Sequence, residues 1–170
     1  LPGIEGKVSF VIWTTTPWTL PANLAISVHP EFEYSALKVG DETLVMASLL
    51  APAALEACGI QEYTRLKTFV GSELEGLRYR HVFDAERICP VICGEHVTLE
   101  AGTGCVHTAP GHGQEDYVVG ARYGIAPFSP VVRARLSPAS VGRICGTGRS
   151  PAWVPIWASN AVWKSLSTSG

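Results

Sequence analysis

Val8-Ser9-Phe10-Val11-Ile12-Trp13, closed by Thr14-Thr15-Thr16-Pro17, is the stretch on which the fold turns. Its apolar, β-branched and aromatic residues give way to hydroxyls and a proline, which reads as a buried strand running into a structured loop. Working outward, Leu24 to Val28, Tyr34 to Val39 and Thr43 to Ala47 read as further short strands in a meander, the last two joined across Gly40-Asp41-Glu42 as a hairpin. Ala51 to Cys58 is rich in Ala and Leu, carries Pro52 where a first helical turn tolerates it, and is stopped by Gly59. Thr64 to Val70, Tyr79 to Phe83, Val91-Ile92, His96 to Leu99 and Cys105 to Thr108 are additional strand candidates. Gln114 to Tyr123 turns helical before Gly124. About nine short strands and two short helices predict a mainly β fold with short helices, a closed or nearly closed β-barrel; an open α+β sheet is the alternative.

Composition agrees with a single folded unit. The chain has 170 residues, 46% hydrophobic and 16% charged, enough apolar mass for a core. Its 17 Gly and 12 Pro punctuate it into short segments and exclude a long-helix bundle. The net charge of −2 announces no general basic field. Charge is nonetheless segregated: residues 1–116 hold fifteen acids and seven bases, a balance of −8, whereas residues 117–170 hold six bases and no acid, +6. Residues 8–30 lack Asp, Glu, Lys and Arg, but Pro17, Pro21 and Pro30 deny that stretch a membrane-spanning helix.

Five cysteines without a preceding secretory signal argue against a disulfide framework and for a reducing cytoplasm. Cys89 and Cys93 have no second pair at zinc-finger spacing, so buried free thiols are expected and no metal site is assigned. Leu1-Pro2-Gly3-Ile4-Glu5-Gly6 reads as linker from a longer parent chain.

Two segments concentrate polar groups within apolar surroundings. In Trp13-Thr14-Thr15-Thr16-Pro17-Trp18-Thr19-Leu20-Pro21-Ala22-Asn23, four threonines and an asparagine are stiffened by two prolines. Such groups can orient a water and hold a ribose hydroxyl, or can simply cap a strand end. In Gly102-Thr103-Gly104-Cys105-Val106-His107-Thr108-Ala109-Pro110-Gly111-His112-Gly113-Gln114-Glu115-Asp116-Tyr117, glycines such as Gly104 allow a ligand close approach to the backbone. His107, His112, Glu115 and Asp116 offer acid, base or charge-pair roles, although the two carboxylates also stand where they would complement a helix N-terminus. A zinc site lacks its third ligand at a helical offset. Cys105 stands near His107 without a third group to activate it.

Together these two segments closely resemble the signature segments of the editing domain inserted in isoleucyl-tRNA synthetases. The resemblance covers about residues 1–125, with the core at 7–125, and Pro17-Trp18-Thr19-Leu20-Pro21-Ala22-Asn23 matches the isoleucyl rather than the valyl or leucyl version. It implies the fold of the valyl/isoleucyl/leucyl-tRNA synthetase editing domain and hydrolysis of valine wrongly esterified to the isoleucine tRNA. One missing methylene is worth only about 1 to 3 kcal/mol of discrimination, a limit for which the isoleucyl enzyme is itself the standard example, so a second sieve is needed.

By that resemblance Asp116 receives the substrate's α-ammonium, while Thr14, Thr15 and Thr16 line the pocket, contact the terminal adenosine and position the attacking water. His107 limits side-chain size, and Trp18, Thr19, Asn23, Gly104 and His112 support substrate binding. The implied partners are the acceptor end of the isoleucine tRNA and the remainder of the synthetase chain. No cofactor serves editing; ATP belongs to a synthetic domain whose motifs are absent here. A second reading is a non-catalytic module that binds the tRNA acceptor end.

The resemblance fails after about Ile125. Residues 126–170 form a divergent C-terminal part of the same domain, and Ser129 to Gly170 is rich in Arg, Ser, Pro and Trp without one acid. The explanations are a basic surface facing tRNA phosphates, a divergent lineage, and a shifted reading frame between roughly Val131 and Pro155. The last predicts that the coding DNA, read in another frame over that interval, restores acidic residues; sequencing the gene checks it.

Overall fold

The computed structural model describes residues 1 and 3–130 together with the backbone of Ile156–Ser159. The strands are β1 (Lys7–Ile12), β2 (Ala25–Val28), β3 (Glu33–Val39), β4 (Glu42–Ala47), β5 (Thr64–Val70), β6 (Arg78–Arg80), β7 (Ile88–Cys93), β8 (Val106–Thr108) and β9 (Ile156–Ser159). Between them lie a 3-10 helix (Pro17–Ala22) and the helices α1 (Ala51–Ala57), α2 (Gly71–Leu74) and α3 (Gln114–Arg122). Two sheets form, in the orders β5-β3-β4-β1-β9 and β6-β7-β2-β8.

Alternation along the strands builds the core between the sheets. Val8, Phe10 and Ile12 of β1, Val45 and Ala47 of β4, and Tyr34 and Ala36 of β3 point to one face, where they meet Ile26 and Val28 of β2 and Cys89 and Val91 of β7. The opposite face of the first sheet is apolar too. Val11, Leu37, Leu44 and Met46 pack there beneath Ala51, Ala54 and Leu55 of α1, which is why β1 is buried on both faces from Val8 to Ile12. On the second sheet Ala25 and Ile92 lie under Val119 of α3. Each sheet is thus closed from outside by one helix.

The hairpin β3–β4 forms as read, with Gly40 at φ 55° in its turn. The meander does not extend to β2, which enters the second sheet between β7 and β8. Instead β1 pairs in parallel with β4 and antiparallel with β9. His96 to Leu99 is not a strand. Its chain turns back at Gly94–Val97, where the Val97 N–H donates to the Gly94 carbonyl at 3.3 Å, and only Val97 is fully buried.

The 3-10 helix follows from Pro17 and Pro21, which remove two backbone donors. Thr19 and Asn23 donate instead to Thr16 and Leu20 at 3.0 Å each, the i→i+3 pattern. Leu1, read as linker, is buried against the main core with Ile4 packed beside it. Of the segment read as divergent, only 126–130 and β9 fall within the described residues; the remainder of the acid-free tail lies outside them. No helix among the described residues is long and apolar enough to cross a membrane.

Gly59 and Gly104 share nearly the same left-handed φ, 72° and 71°, but differ in surroundings. A Cβ on Gly59 meets open space, whereas one on Gly104 would lie 2.5 Å from Ala47 Cβ. Gly59→Ala is therefore expected to destabilise by about 1 kcal/mol and Gly104→Ala by roughly 2–3 kcal/mol, the difference being overpacking, as read from urea unfolding midpoints.

Candidate functional site

The two sequence segments meet through the main chain. As β1 ends, the Trp13 N–H donates to the Cys105 carbonyl at 2.8 Å and the Trp13 carbonyl accepts the His107 N–H at 3.1 Å. These bonds accompany a parallel bridge between Trp13 and Val106 that joins the sheets. Gly102, at φ 86°, makes room for the indole, since a Cβ there would lie 2.6 Å from the Trp13 ring.

Beyond this junction the threonine loop folds on itself. Thr14 Oγ1 accepts the Thr16 N–H at 3.1 Å, and the Thr16 carbonyl accepts both the N–H and, at 2.8 Å, the hydroxyl of Thr19. Thr16 and Thr19 hydroxyls are 3.2 Å apart. On the facing strand β8, His107 places Nε2 3.0 Å from Thr19 Oγ1 and Nδ1 2.8 Å from Asn23 Nδ2.

The second wall comes from α3. Gly113 precedes the helix in extended conformation, and Asp116 in the first turn accepts the Ala109 N–H on Oδ2 at 2.8 Å. That bond ties the 109–113 loop to the helix and leaves Asp116 on the wall of the pocket. The resulting pocket of about 190 Å³ is lined by Trp13, Thr14, Thr15, Thr16 and Thr19 from one segment and by Val106, His107, His112, Gly113 and Asp116 from the other.

Seven sequence-chosen residues thus share one cavity: Thr14, Thr15, Thr16, Thr19, His107, His112 and Asp116. Asn23 stands behind His107, away from the pocket wall. Trp18 is 54% exposed on the outside of the 3-10 helix. Gly104 is buried against Ala47 and offers its carbonyl to the Tyr34 hydroxyl at 2.7 Å, a packing role. Glu115 faces a larger groove of about 410 Å³ on another side of α3, with Glu95, His96 and Arg122. Sequence reasoning missed Trp13, Val106 and Gly113 as wall residues, although each adjoins one that it singled out. It also missed Tyr79, which bonds Asn23 and has no motif around it.

Asp116 is the one carboxylate on the pocket wall. Burial pushes the His107 imidazole down to about 4, helped by the charges of His81 and His112, so it is neutral near pH 7. Burial raises the Asp116 carboxyl above its ordinary value, opposed by the Ala109 N–H and by nearby His96. Cys105 is no nucleophile here: burial drives its thiol far up and its Sγ faces the Val45 carbonyl. Among the described residues no cluster of three or more His, Cys, Asp or Glu is arranged to hold a metal ion.

The arrangement of the two sheets is found in known structures. The chain superposes on a crystal structure of GlLeuRS-CP1 with a TM-score of 0.59 at 22% identity, covering 71% of this chain and 51% of that one. The editing domain of the P. falciparum cytosolic leucyl-tRNA synthetase gives 0.58 at 17% identity, covering 66% and 45%. The fold is that of the editing (CP1) domain of class I aminoacyl-tRNA synthetases.

Sequence comparison is more specific. The chain is 56% identical over 127 residues to isoleucine–tRNA ligase of Thioalkalivibrio sulfidiphilus and 58% identical over 123 residues to that of Moorella thermoacetica. It is a homologue of the editing-domain region of isoleucine–tRNA ligases. These alignments cover 75% and 72% of the chain and 13% of each relative's length. No protein-family model matches the chain.

The depressed histidine sets an acid sensitivity. Unfolded, His107 takes up its proton near pH 6.5, while folded it resists until about pH 4, so its contribution to stability is complete above 6.5 and is lost as pH falls through that window. Wild type is expected to lose up to roughly 3 kcal/mol more folding free energy between pH 7 and pH 4 than His107→Gln, measured by urea unfolding at each pH.

Proposed function

We propose that this chain is a hydrolytic editing domain that removes valine wrongly esterified to the isoleucine tRNA. The observation that carries the reading is the convergence of Thr14, Thr15, Thr16, His107 and Asp116 on one pocket of about 190 Å³. That volume is below the 300 to 1,000 Å³, roughly, of pockets for drug-sized ligands and suits a small group such as an aminoacyl moiety.

The roles follow from the chemistry of the wall. An α-ammonium is cationic, and Asp116 is the one carboxylate on the wall; because burial disfavours its ionised form, a bound cation gains the contact that water no longer supplies. Asp116 therefore anchors the substrate and does not act as base. The threonine hydroxyls contact the terminal adenosine and orient a water, and neutral His107 forms the wall that limits side-chain size.

The ester is already activated toward attack, so placing a water against its carbonyl carbon is the main requirement. The water oxygen bonds to that carbon, the carbon–oxygen bond to the ribose breaks, and the ribose oxygen leaves with a proton. Free valine and intact tRNA result. This step uses neither ATP nor a cofactor. The isoleucine tRNA acceptor end is the partner, delivered by the remainder of a synthetase chain in the cytoplasm.

The test is deacylation of valyl-tRNA(Ile) by this chain, with isoleucyl-tRNA(Ile) as control. Valyl ester is expected to be hydrolysed selectively, and Asp116→Asn, which keeps shape while removing charge, is expected to lower kcat/KM by about 10² or more. Binding of tRNA without turnover, unchanged in Asp116→Ala, would instead assign a non-catalytic acceptor-end module.

A further inference from the structure

Tyr79, on β6, does not line the pocket, yet its buried hydroxyl donates to Asn23 Oδ1 behind His107. The amide of Asn23 is fully committed. Its Nδ2 donates to the Ala25 carbonyl at 2.9 Å and also meets His107 Nδ1 at 2.8 Å. A backbone carbonyl can only accept, so the Ala25 oxygen settles which end of the amide faces it, and the hydroxyl of Tyr79 holds the other end. An amide N–H can only donate. His107 Nδ1 must therefore present a lone pair, and the proton of the neutral ring sits on Nε2, directed at Thr19 Oγ1 3.0 Å away. Thr19 in turn gives its own proton to the Thr16 carbonyl at 2.8 Å.

Every proton from Tyr79 through Asn23 and His107 to Thr19 thus has one direction, ending on the Thr16 carbonyl. We infer that Tyr79 is a positioning residue which, through Asn23, holds His107 as its Nε2–H tautomer. In that state neither ring nitrogen can accept a proton from a water in the pocket: Nδ1 is covered by Asn23, and Nε2 already carries hydrogen. His107 serves as a rigid wall and as the donor that fixes Thr19, and through it the threonine loop. Burial raises the Tyr79 phenol well above its ordinary value, which keeps it a donor. The consequence for turnover rests on the editing reading above; the tautomer itself does not.

The test uses the whole 170-residue chain labelled with ¹⁵N in histidine, because protonated and unprotonated ring nitrogens resonate far apart. At pH 7, His107 is expected to show an unprotonated Nδ1 and a protonated Nε2; the reverse would overturn the inference. Tyr79→Phe leaves Asn23 Oδ1 without its donor, so only the Ala25 carbonyl still orients the amide, and the His107 signals are expected to move toward a mixture of tautomers. In the same variant kcat for valyl-tRNA(Ile) is expected to fall roughly tenfold with KM little changed. A folded Tyr79→Phe with an unaltered His107 pattern would overturn the role of Tyr79. Should that variant not fold, Asn23→Asp sets a carboxylate opposite Nδ1 and is expected to draw the proton onto it, and failure of that inversion also overturns the inference. If no valyl ester is hydrolysed by wild type, the editing reading falls while the nitrogen spectra still decide the tautomer.

Discussion

Two main-chain hydrogen bonds, from Trp13 N–H to the Cys105 carbonyl and from His107 N–H to the Trp13 carbonyl, are the joint around which this molecule is organised. They lie where β1 leaves the first sheet and meets β8 of the second. Backbone groups buried at such a place must find partners, and here each segment supplies them to the other. With the joint made, the threonine loop and the His107 strand cannot shift independently, and residues 90 or so apart in sequence face one cavity. Gly102 and Gly104 permit the close approach, one beneath an indole and one against Ala47.

Burial then decides the chemistry of what the joint brings together. His107 gains two hydrogen-bond partners and loses water, which leaves it neutral. Cys105, two residues earlier on the same segment, loses water without gaining an activating partner and is inert. Asp116 keeps one backbone donor and remains the cavity's only carboxylate. A cavity lined by one carboxylate and several hydroxyls, with both ring nitrogens of His107 already engaged, presents groups that can hold and orient a ligand.

Much of the architecture is legible from local pattern. The hairpin across Gly40, the helices ending before Gly59 and Gly124, and the mostly apolar, β-branched β1 each announce themselves within a few residues, because turn chemistry and burial on both faces act locally. His96 to Leu99 misleads for the same reason. An apolar pair around a threonine looks like a strand, but among the described residues no strand pairs with its backbone. The placement of β2 in the second sheet, and the parallel pairing of β1 with β4, depend on partners distant in sequence and leave no periodic trace.

The site divides along the same line. By itself the sequence determined which residues to look for at a site, since threonines, histidines and a carboxylate crowded into two short segments stand out from apolar surroundings and match a known pattern. Tertiary structure alone decided which of them share the cavity, that Gly104 packs and Asn23 supports from behind, and that Tyr79 belongs to the network at all. The physical reason is directional: a hydrogen bond needs a donor and an acceptor within about 3 Å and properly aimed, and no residue type or spacing specifies aim across fifty or eighty residues of chain.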